Sequence, residues 1–200
     1  MAIASAPTLP RRGLVLADAI PGARVRDAVL VLAGALLTAL LAQVAIPIPP
    51  SPVPVTGQTL AVGLVGATLG ARRGTLAMLL YATMGLFLPV YAEGNSGWDV
   101  ITGASGGYIV GFIFATYVVG LLAERGADRK ALTAFVSFVA AQLIVFGFGL
   151  VGLKLAVGQD WSWTIHNGFA IFIVGGLIKA LIGAAVLPSA WQLVRRFERG

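Results

Sequence analysis

The sequence predicts an all-α membrane protein, a bundle of six transmembrane helices, and three observations carry that prediction. Hydrophobic residues make up 58% of the 200 residues and charged residues only 11%, whereas a soluble domain has roughly 45–50% apolar and about 25% charged residues. The mean hydropathy is +0.92. Six apolar segments follow one another along the chain, and nearly all basic residues lie in alternate loops between them.

The apolar segments divide the chain into a leader, a membrane domain and a tail. A helix needs roughly 20 residues to cross the hydrocarbon core, so a chain of this length has room for about six crossings and no second soluble domain. A basic, flexible cytoplasmic leader is predicted over 1–26, the membrane domain over 27–191 and a basic cytoplasmic tail over 192–200. The six segments lie at about 27–46, 57–71, 73–91, 104–123, 131–155 and 166–190.

The charges in the loops predict the orientation of the bundle. Most of the Lys and Arg residues lie in the leader, in every second loop and in the tail, whereas the loops at 47–56, 92–103 and 156–165 contain none. By the positive-inside rule, both termini are cytoplasmic in a multi-pass protein of a bacterial or archaeal cell membrane. The net charge of +6 is then explained by anionic lipid near the basic loops, and nucleic acid is not needed as a partner.

Small residues recur at intervals of four on several of the predicted helices. This spacing lets helix backbones approach closely in lipid, where no hydrophobic effect drives the helices together. The stripes indicate a tightly packed bundle, although each of them equally fits a contact with another protein. The positions are Gly66 and Gly70, then Gly103, Gly107 and Gly111, and on the first helix Ala35 and Ala39.

The loop between the first two segments contains five of the ten prolines, all within 47–54. Proline lacks an N–H and restricts its own φ, so this stretch is neither a helix nor an inner strand. The loop carries no charge, and non-helical backbone at membrane depth is tolerated only against protein or a cavity. Two interpretations remain open: a rigid lid over the mouth of the bundle, or a stiff turn that shortens the second helix.

Lys179 is the most unusual residue, because it lies near the middle of the sixth segment. A charged side chain at the centre of a bilayer costs about 2.5–3.5 kcal/mol on insertion scales, and such residues are functional by default. No acid lies three or four residues away on its helix. We expect Lys179 to bind a ligand oxygen, with pairing to polar groups of other helices as the alternative. Lys154 lies at the end of the fifth segment, where it reaches the interface.

Two polar stretches supply the other candidate ligand-binding residues. The loop 91–108 contains five glycines, aromatic rings and polar side chains, and such a loop either binds a small polar ligand or is a flexible surface loop. The stretch 54–60 places an amide at the start of an otherwise apolar helix. The candidates are Thr56, Gln58, Tyr91, Asn95, Trp98, Gly107 and Tyr108, in addition to Lys179.

The composition argues against several classes of function. The chain has no cysteine, a single histidine, His166, and scattered acids, so neither a thiolate site nor a protein-bound metal is expected. It has no Ser–His–Asp arrangement, and the GGLIKA stretch lacks the pattern of a phosphate-binding loop. We therefore expect no enzyme activity and no cofactor. Without a nucleotide site, active transport requires a partner that supplies energy.

Four stretches resemble one known family. PSPVPVTGQTLAV, GLFLPVYAEGNSG, GASGGYIVGF and GFAIFIVGGLIKALIGAAV are similar to the BioY proteins, which are the biotin-binding S components of energy-coupling factor (ECF) transporters. The similarity covers about residues 28–190. It implies a six-helix S-component fold with both termini inside, and biotin uptake from the extracytoplasmic side under the 47–56 loop, with biotin as the transported substrate.

The resemblance also implies partners. Ala35 and Ala39 resemble the patch with which such proteins dock on a transmembrane coupling protein, and two cytoplasmic ATPases then power release. In the last helix the family pattern is Pro-Gly-Asp-x-x-Lys, and here the lysine is present as Lys179 whereas Gly176 stands in place of the acid. An S component for another small vitamin or a biotin precursor is the closest alternative. A small non-catalytic membrane assembly protein is an alternative of a different class.

Overall fold

Seven α-helices and one short β-hairpin form most of the part of the chain that the computed structural model describes, residues 15–19 and 24–197. The helices are α1 (Arg24–Ala42), α2 (Gln58–Met84), α3 (Trp98–Thr102), α4 (Gly106–Glu124), α5 (Ala131–Val157), α6 (Trp161–Gly168) and α7 (Ile173–Phe197). The strands β1 (Ala45–Ile46) and β2 (Val55–Thr56) pair antiparallel. Single 3₁₀ turns lie at Leu16–Ala19, Ala92–Gly94, Ala127–Arg129 and Ala170–Phe172.

Four helical segments within the described residues are long and apolar enough to cross a membrane. They are Arg24–Ala42, Gly106–Glu124, Ala131–Val157 and Trp161–Phe197. The last segment joins α6 and α7, so the predicted sixth helix over 166–190 is replaced by α6, a 3₁₀ turn and α7. Helix α7 continues to Phe197, which places most of the predicted tail inside a helix; residues 198–200 lie outside the described part.

Helix α2 accounts for the predicted second and third segments by folding back on itself. Gly70 has φ +81° and ψ 176°, a conformation that is accessible mainly to glycine, and it interrupts the helix. The side-chain nitrogen Nε2 of Gln58 lies 2.7 Å from the Tyr81 hydroxyl. In a straight helix the backbones of these two residues would be roughly 35 Å apart. The two halves, 58–69 and 71–84, therefore form a hairpin. Each half is shorter than the roughly 20 residues of a full crossing.

The bundle core depends on glycine to seat a large aromatic ring. Phe138 of α5 is fully buried between α2 and α7. A Cβ atom at Gly63 or at Gly183 would overlap its ring. At Gly111 a Cβ would lie 2.9 Å from the Cα of Val145, so α4 and α5 pack almost backbone to backbone. Gly111, one of the small residues predicted to let helices approach closely, does so within this chain.

Ala35 and Ala39 lie inside the bundle. Their exposed fractions are 0% and 8%, because α1 packs this side against α2, where Gly34 approaches Ala77 and Leu69. Both residues are therefore buried in this conformation, and their role in docking on a partner stays a prediction. The exposed face of α1 carries larger apolar side chains instead, namely Val25, Val29, Leu32, Leu36 and Leu40.

Part of the predicted flexible leader is packed against the bundle. Val15 and Ala17 are buried, with 2% and 4% of their surfaces exposed. Arg73, just after the α2 turn, pairs with Asp18 at 2.6 Å and with Asp27 at 3.2 Å. Residues 15–19 and 24–26 of the predicted leader are thus described next to the bundle, the rest of 1–26 lies outside the described part of the chain, and the flexibility of the leader stays a prediction. We call this end of the molecule, with the α4–α5 connection, the inner end.

Candidate functional site

A cavity of about 200 Å³ lies at the opposite end of the bundle, which we call the outer end. Its walls come from the loop between β1 and β2, the beginning of α2, the stretch 91–109, and the facing parts of α5 and α7. Segments distant in sequence meet here because the α2 hairpin returns the chain to the outer end. The concave shape and mixed polar and apolar lining are typical of a small-molecule site.

The proline-rich loop covers one side of this cavity. Strands β1 and β2 bring its two ends together, with Ala45 opposite Thr56. Pro52, Val53 and Pro54 line the cavity, and the Val53 side chain is buried. The β-hairpin is an addition to the predicted all-α fold. Of the two interpretations of this loop, the cover over a cavity agrees with its position.

A hydrogen-bonded chain holds Gln58 in one orientation at the start of α2. The Thr56 hydroxyl donates to Gln58 Oε1 at 2.7 Å, and Gln58 Nε2 donates to the Tyr81 hydroxyl at 2.7 Å. Tyr81 is fully buried and its ring contacts that of Tyr91 edge to face, with centroids 5.7 Å apart. The amide is therefore oriented before any ligand binds, which lowers the entropic cost of binding.

Tyr91 anchors the loop that forms the mouth of the cavity. Its hydroxyl donates to the Ala82 carbonyl at 2.6 Å, and its carbonyl accepts a hydrogen bond from Gln43 Nε2 at 3.1 Å. Asn95 Nδ2 donates to the Ala92 carbonyl at 3.0 Å, which closes the turn that follows. Glu93 and Asp99 add two acidic groups to the cavity lining. The mouth is thus polar, and a hydrogen bond connects it to the end of α2.

Lys179 contributes the positive charge of the cavity. Its Nζ donates to the Thr59 hydroxyl at 3.0 Å, and no ion pair involving Lys179 is found among the described residues. An ammonium group has three N–H donors, so one hydroxyl leaves two of them for another partner. A half-buried ammonium with a single neutral partner is well placed to bind an oxygen of a ligand.

Aromatic rings form the apolar wall of the cavity. Tyr108 lies edge to face with Phe146, with centroids 6.4 Å apart, and Phe172 contacts both rings. The Tyr108 hydroxyl donates to the Gly168 carbonyl at 2.8 Å. Tyr108 therefore presents its ring to the cavity, while its hydroxyl is engaged with the segment between α6 and α7.

The structure brings most of the residues predicted from sequence to this cavity, but not all. Thr56, Gln58, Tyr91, Asn95, Tyr108 and Lys179 line it. Trp98 is 66% exposed and lies outside the lining. Gly107 is used for packing, since a Cβ there would lie 2.9 Å from the Cα of Gly152. Trp98 and Gly107 thus lie outside the cavity lining, and their role in ligand binding stays a prediction.

Several lining residues were missed in the sequence analysis. Gln142, Phe146 and Phe172 come from helices whose apolar composition predicts only membrane packing. An amide within the long apolar run of α5 is a signal that was available, because burying a polar side chain in such a segment is costly without a partner. The two phenylalanines carry no such signal.

The described residues around the cavity offer groups that are complementary to a small molecule. One ammonium, the carboxyl groups of Glu93 and Asp99, amide and hydroxyl groups and aromatic rings surround the space, so a ligand with an apolar body, a hydrogen-bonding end and an anionic group near Lys179 fits its chemistry. In the part of the chain that the structure describes, no cluster of three or more His, Cys, Asp or Glu residues is positioned to hold a metal ion.

Comparisons with known proteins agree on one family. The sequence model described as "BioY family" matches residues 14–196. The "Biotin transporter BioY2" of Lactococcus lactis subsp. cremoris is 38% identical over 76% of this chain and 83% of its own length. The "Biotin transporter BioY" of Thermotoga maritima is 38% identical over 70% of this chain and 82% of its own length.

A solved crystal structure shares the fold. It is described as "the S-component for biotin from an ECF-type ABC transporter", and it matches with a TM-score of 0.73, covering 88% of this chain and 92% of its own. The sequence identity is 22%, so this similarity concerns the arrangement of the helices.

Proposed function

The chain belongs to the BioY family, and on that premise we propose that it is the membrane-embedded subunit that captures biotin for uptake by an energy-coupling factor transporter. The observation that carries this proposal is the cavity at the outer end, with Lys179 in its wall. The relatives that match most of this chain are named biotin transporters. The protein is a multi-pass membrane protein.

Biotin matches the chemistry of the cavity at both of its ends. It has an anionic carboxylate, an apolar chain and sulfur ring, and a cyclic urea with one C=O and two N–H groups. Lys179 supplies a cation with free N–H donors, and Gln58 and Asn95 add oriented amides. The rings of Tyr108 and Phe146 supply apolar contact area. We infer that biotin lies in this space, under the 47–56 loop.

In the proposed orientation, the cavity opens to the extracytoplasmic side of the membrane. With both termini cytoplasmic and the two halves of α2 serving as the second and third of six spans, the loops at 47–56 and 92–103 face the extracytoplasmic side. The distribution of basic residues supports this orientation, and biotin then enters the cavity from that side.

Energy is proposed to come from a transmembrane coupling protein and two cytoplasmic ATPases. This proposal rests on the family, whose solved relative is described as the S-component of an ABC transporter. Ala35 and Ala39 are buried against α2. Docking through these two residues therefore requires α1 to move, whereas docking through the exposed face of α1 does not.

Biotin titration of the purified protein in nanodiscs tests the proposal. We expect saturable binding, and at least a tenfold loss of affinity in Lys179→Met, because a charge-assisted hydrogen bond contributes roughly 1.5–3 kcal/mol. Lys154→Met is the matched control. Lys154 donates to the carbonyl of Gln159 and lies outside the cavity, so its loss is expected to leave the affinity unchanged.

The alternative ligands give different results in the same titration. Absence of biotin binding by folded wild-type protein, together with binding of a biotin precursor or another vitamin, contradicts the proposal and favours the alternative S component. Binding of biotin that is unchanged in Lys179→Met removes Lys179 from the site. Co-purification with a coupling protein and ATPases distinguishes a transporter subunit from an assembly protein.

A further inference from the structure

Gln142 is a polar group in the cavity to which the sequence analysis assigned no role. It lies on α5, is 8% exposed and lines the cavity. Another polar side chain of α5, that of Ser137, satisfies its hydrogen bond within the helix by donating to the Thr133 carbonyl at 2.8 Å. The Gln142 side chain crosses to another helix instead, and its Nε2 donates to the Gly176 carbonyl of α7 at 2.8 Å.

That hydrogen bond determines where the rest of the carboxamide points. With Nε2 bound to α7, the orientation of Oε1 is fixed, and among the described residues no donor to Gln142 Oε1 is found. This oxygen is not among the fully buried atoms that lack a partner in the described part of the chain, so it keeps exposed surface and can accept a hydrogen bond. Because Gln142 borders the cavity, the missing donor is one that a ligand can supply.

Gly176 makes this position possible. A Cβ atom at residue 176 would overlap Oε1 of Gln142 and lie 3.0 Å from its side-chain carbon Cδ. Residue 176 lies within regular α7, so glycine is required here for space and not for an unusual backbone conformation. The carboxamide of Gln142 thus occupies the volume into which any side chain at residue 176 would extend.

The cavity therefore has a hydrogen-bond acceptor, Gln142 Oε1, next to the part of α7 that carries the Lys179 ammonium. Gly176, which holds Gln142, precedes Lys179 by three residues and so lies on the same face of α7. A cyclic urea presents a C=O and adjacent N–H groups. We propose that Gln142 is a ligand-binding residue whose Oε1 accepts a ureido N–H, and that Gly176 positions it by leaving the space open. This inference rests on the proposed function, because it takes biotin as the ligand.

The test is a thermodynamic cycle that combines a substitution in the protein with a modification of the ligand. Biotin and its two singly N-methylated ureido derivatives are titrated into wild-type protein and into Gln142→Leu in nanodiscs. We expect Gln142→Leu to lower the affinity for biotin at least tenfold. For the derivative that is methylated at the nitrogen whose N–H Gln142 accepts, we expect the affinity to fall less than threefold. An equal loss for all three ligands assigns Gln142 a structural role and overturns the inference.

The role of Gly176 is tested by substituting it in the presence and in the absence of the Gln142 side chain. Gly176→Ala is expected to lower the affinity for biotin about as much as Gln142→Leu does. In the Gln142→Ala background, Gly176→Ala is expected to change that affinity less than twofold. Gly175→Ala is the matched control, because a Cβ there meets only Val55, at an ordinary 3.4 Å. An undiminished effect of Gly176→Ala in the Gln142→Ala background contradicts the positioning role.

The failures of the two proposals are distinguishable. Wild-type protein that does not bind biotin refutes the proposed function. Wild-type protein that binds biotin, with unchanged affinity in Gln142→Leu, refutes only the role of Gln142. Ser137→Ala, another buried polar substitution on α5, is the control for folding, and thermal unfolding of every variant accompanies its titration.

Discussion

The two ends of the bundle use charged residues in opposite ways. At the inner end, Arg73 donates to Asp18, to Asp27 and to the Leu69 carbonyl, so its guanidinium is surrounded by acceptors of the protein itself. At the outer end, Lys179 has one hydroxyl partner, that of Thr59. Arginine suits the first role because its planar fork binds several oxygens at once, and the compact lysine ammonium suits the second.

This difference separates stability from binding. The ion pairs of Arg73 join the α2 turn to α1 and to the 3₁₀ turn at Leu16–Ala19, so they stabilise the helix arrangement without any ligand. Among the described residues, Lys179 and Gln142 each make one side-chain hydrogen bond, so both keep hydrogen-bonding capacity that a ligand in the cavity can use. Substitutions at the two ends are therefore expected to affect different measurements.

The largest effect on stability is expected for Arg73→Met. We expect the free energy of unfolding to fall by about 2 kcal/mol, between the small value of a surface pair and the 3–5 kcal/mol of a fully buried one. The Arg73 side chain is 16% exposed, whereas that of Asp27 is 43% exposed. Thermal unfolding in detergent measures this change, and the biotin affinity of the folded fraction is expected to stay the same.

Arg72→Met is the matched control for Arg73. Arg72 is exposed, lies next to Arg73 in sequence and makes none of its ion pairs. Equal destabilisation by both substitutions would mean that the loss of positive charge near the membrane matters, and not the ion pairs.

A smaller effect is expected from Asp128, a buried acid at the inner end. Burial raises the pKa of Asp128, while the hydrogen bond from the Trp191 indole and the charge of Arg129 act in the opposite direction. A carboxyl group with a higher pKa in the folded state contributes stability that is complete below its unfolded pKa, about 3.9, and is lost as the pH rises through its folded pKa.

We therefore expect wild-type protein to gain stability relative to Asp128→Asn as the pH falls from 7 towards 4. The gain is expected to be smaller than the loss caused by Arg73→Met, because it concerns one proton on one group. Thermal unfolding of both proteins at several pH values measures it. Parallel pH profiles for the two proteins would contradict a raised pKa of Asp128.

The smallest effect is expected for Trp98→Ala. Trp98 is 66% exposed and lies outside the cavity lining, although the sequence analysis placed it in the site. Its removal is expected to change biotin affinity less than twofold in the same titration that detects Lys179→Met. A tenfold loss would show that the 91–108 loop rearranges around the ligand and brings Trp98 into contact with it.

Sequence reasoning identified some polar residues of the cavity lining and none of its phenylalanines. Lys179 and Gln58 attract attention because a polar side chain in an apolar segment is costly, and that cost depends only on local composition. Phe146 and Phe172 resemble every other apolar residue of their helices. Trp98 presents the reverse difficulty, since an aromatic residue in a polar loop is equally compatible with a binding site and with an exposed position.

The sequence by itself determined the membrane class, the approximate helices and the family, because hydropathy, periodicity and motifs are properties of contiguous residues. Only the tertiary structure decided which side of α1 is buried, that Gly70 reverses α2, and that Gln142 reaches the carbonyl of Gly176. These features depend on contacts between segments far apart along the chain. Whether a small residue faces a neighbouring helix or a partner depends on how the helices rotate and pack, which local composition does not specify.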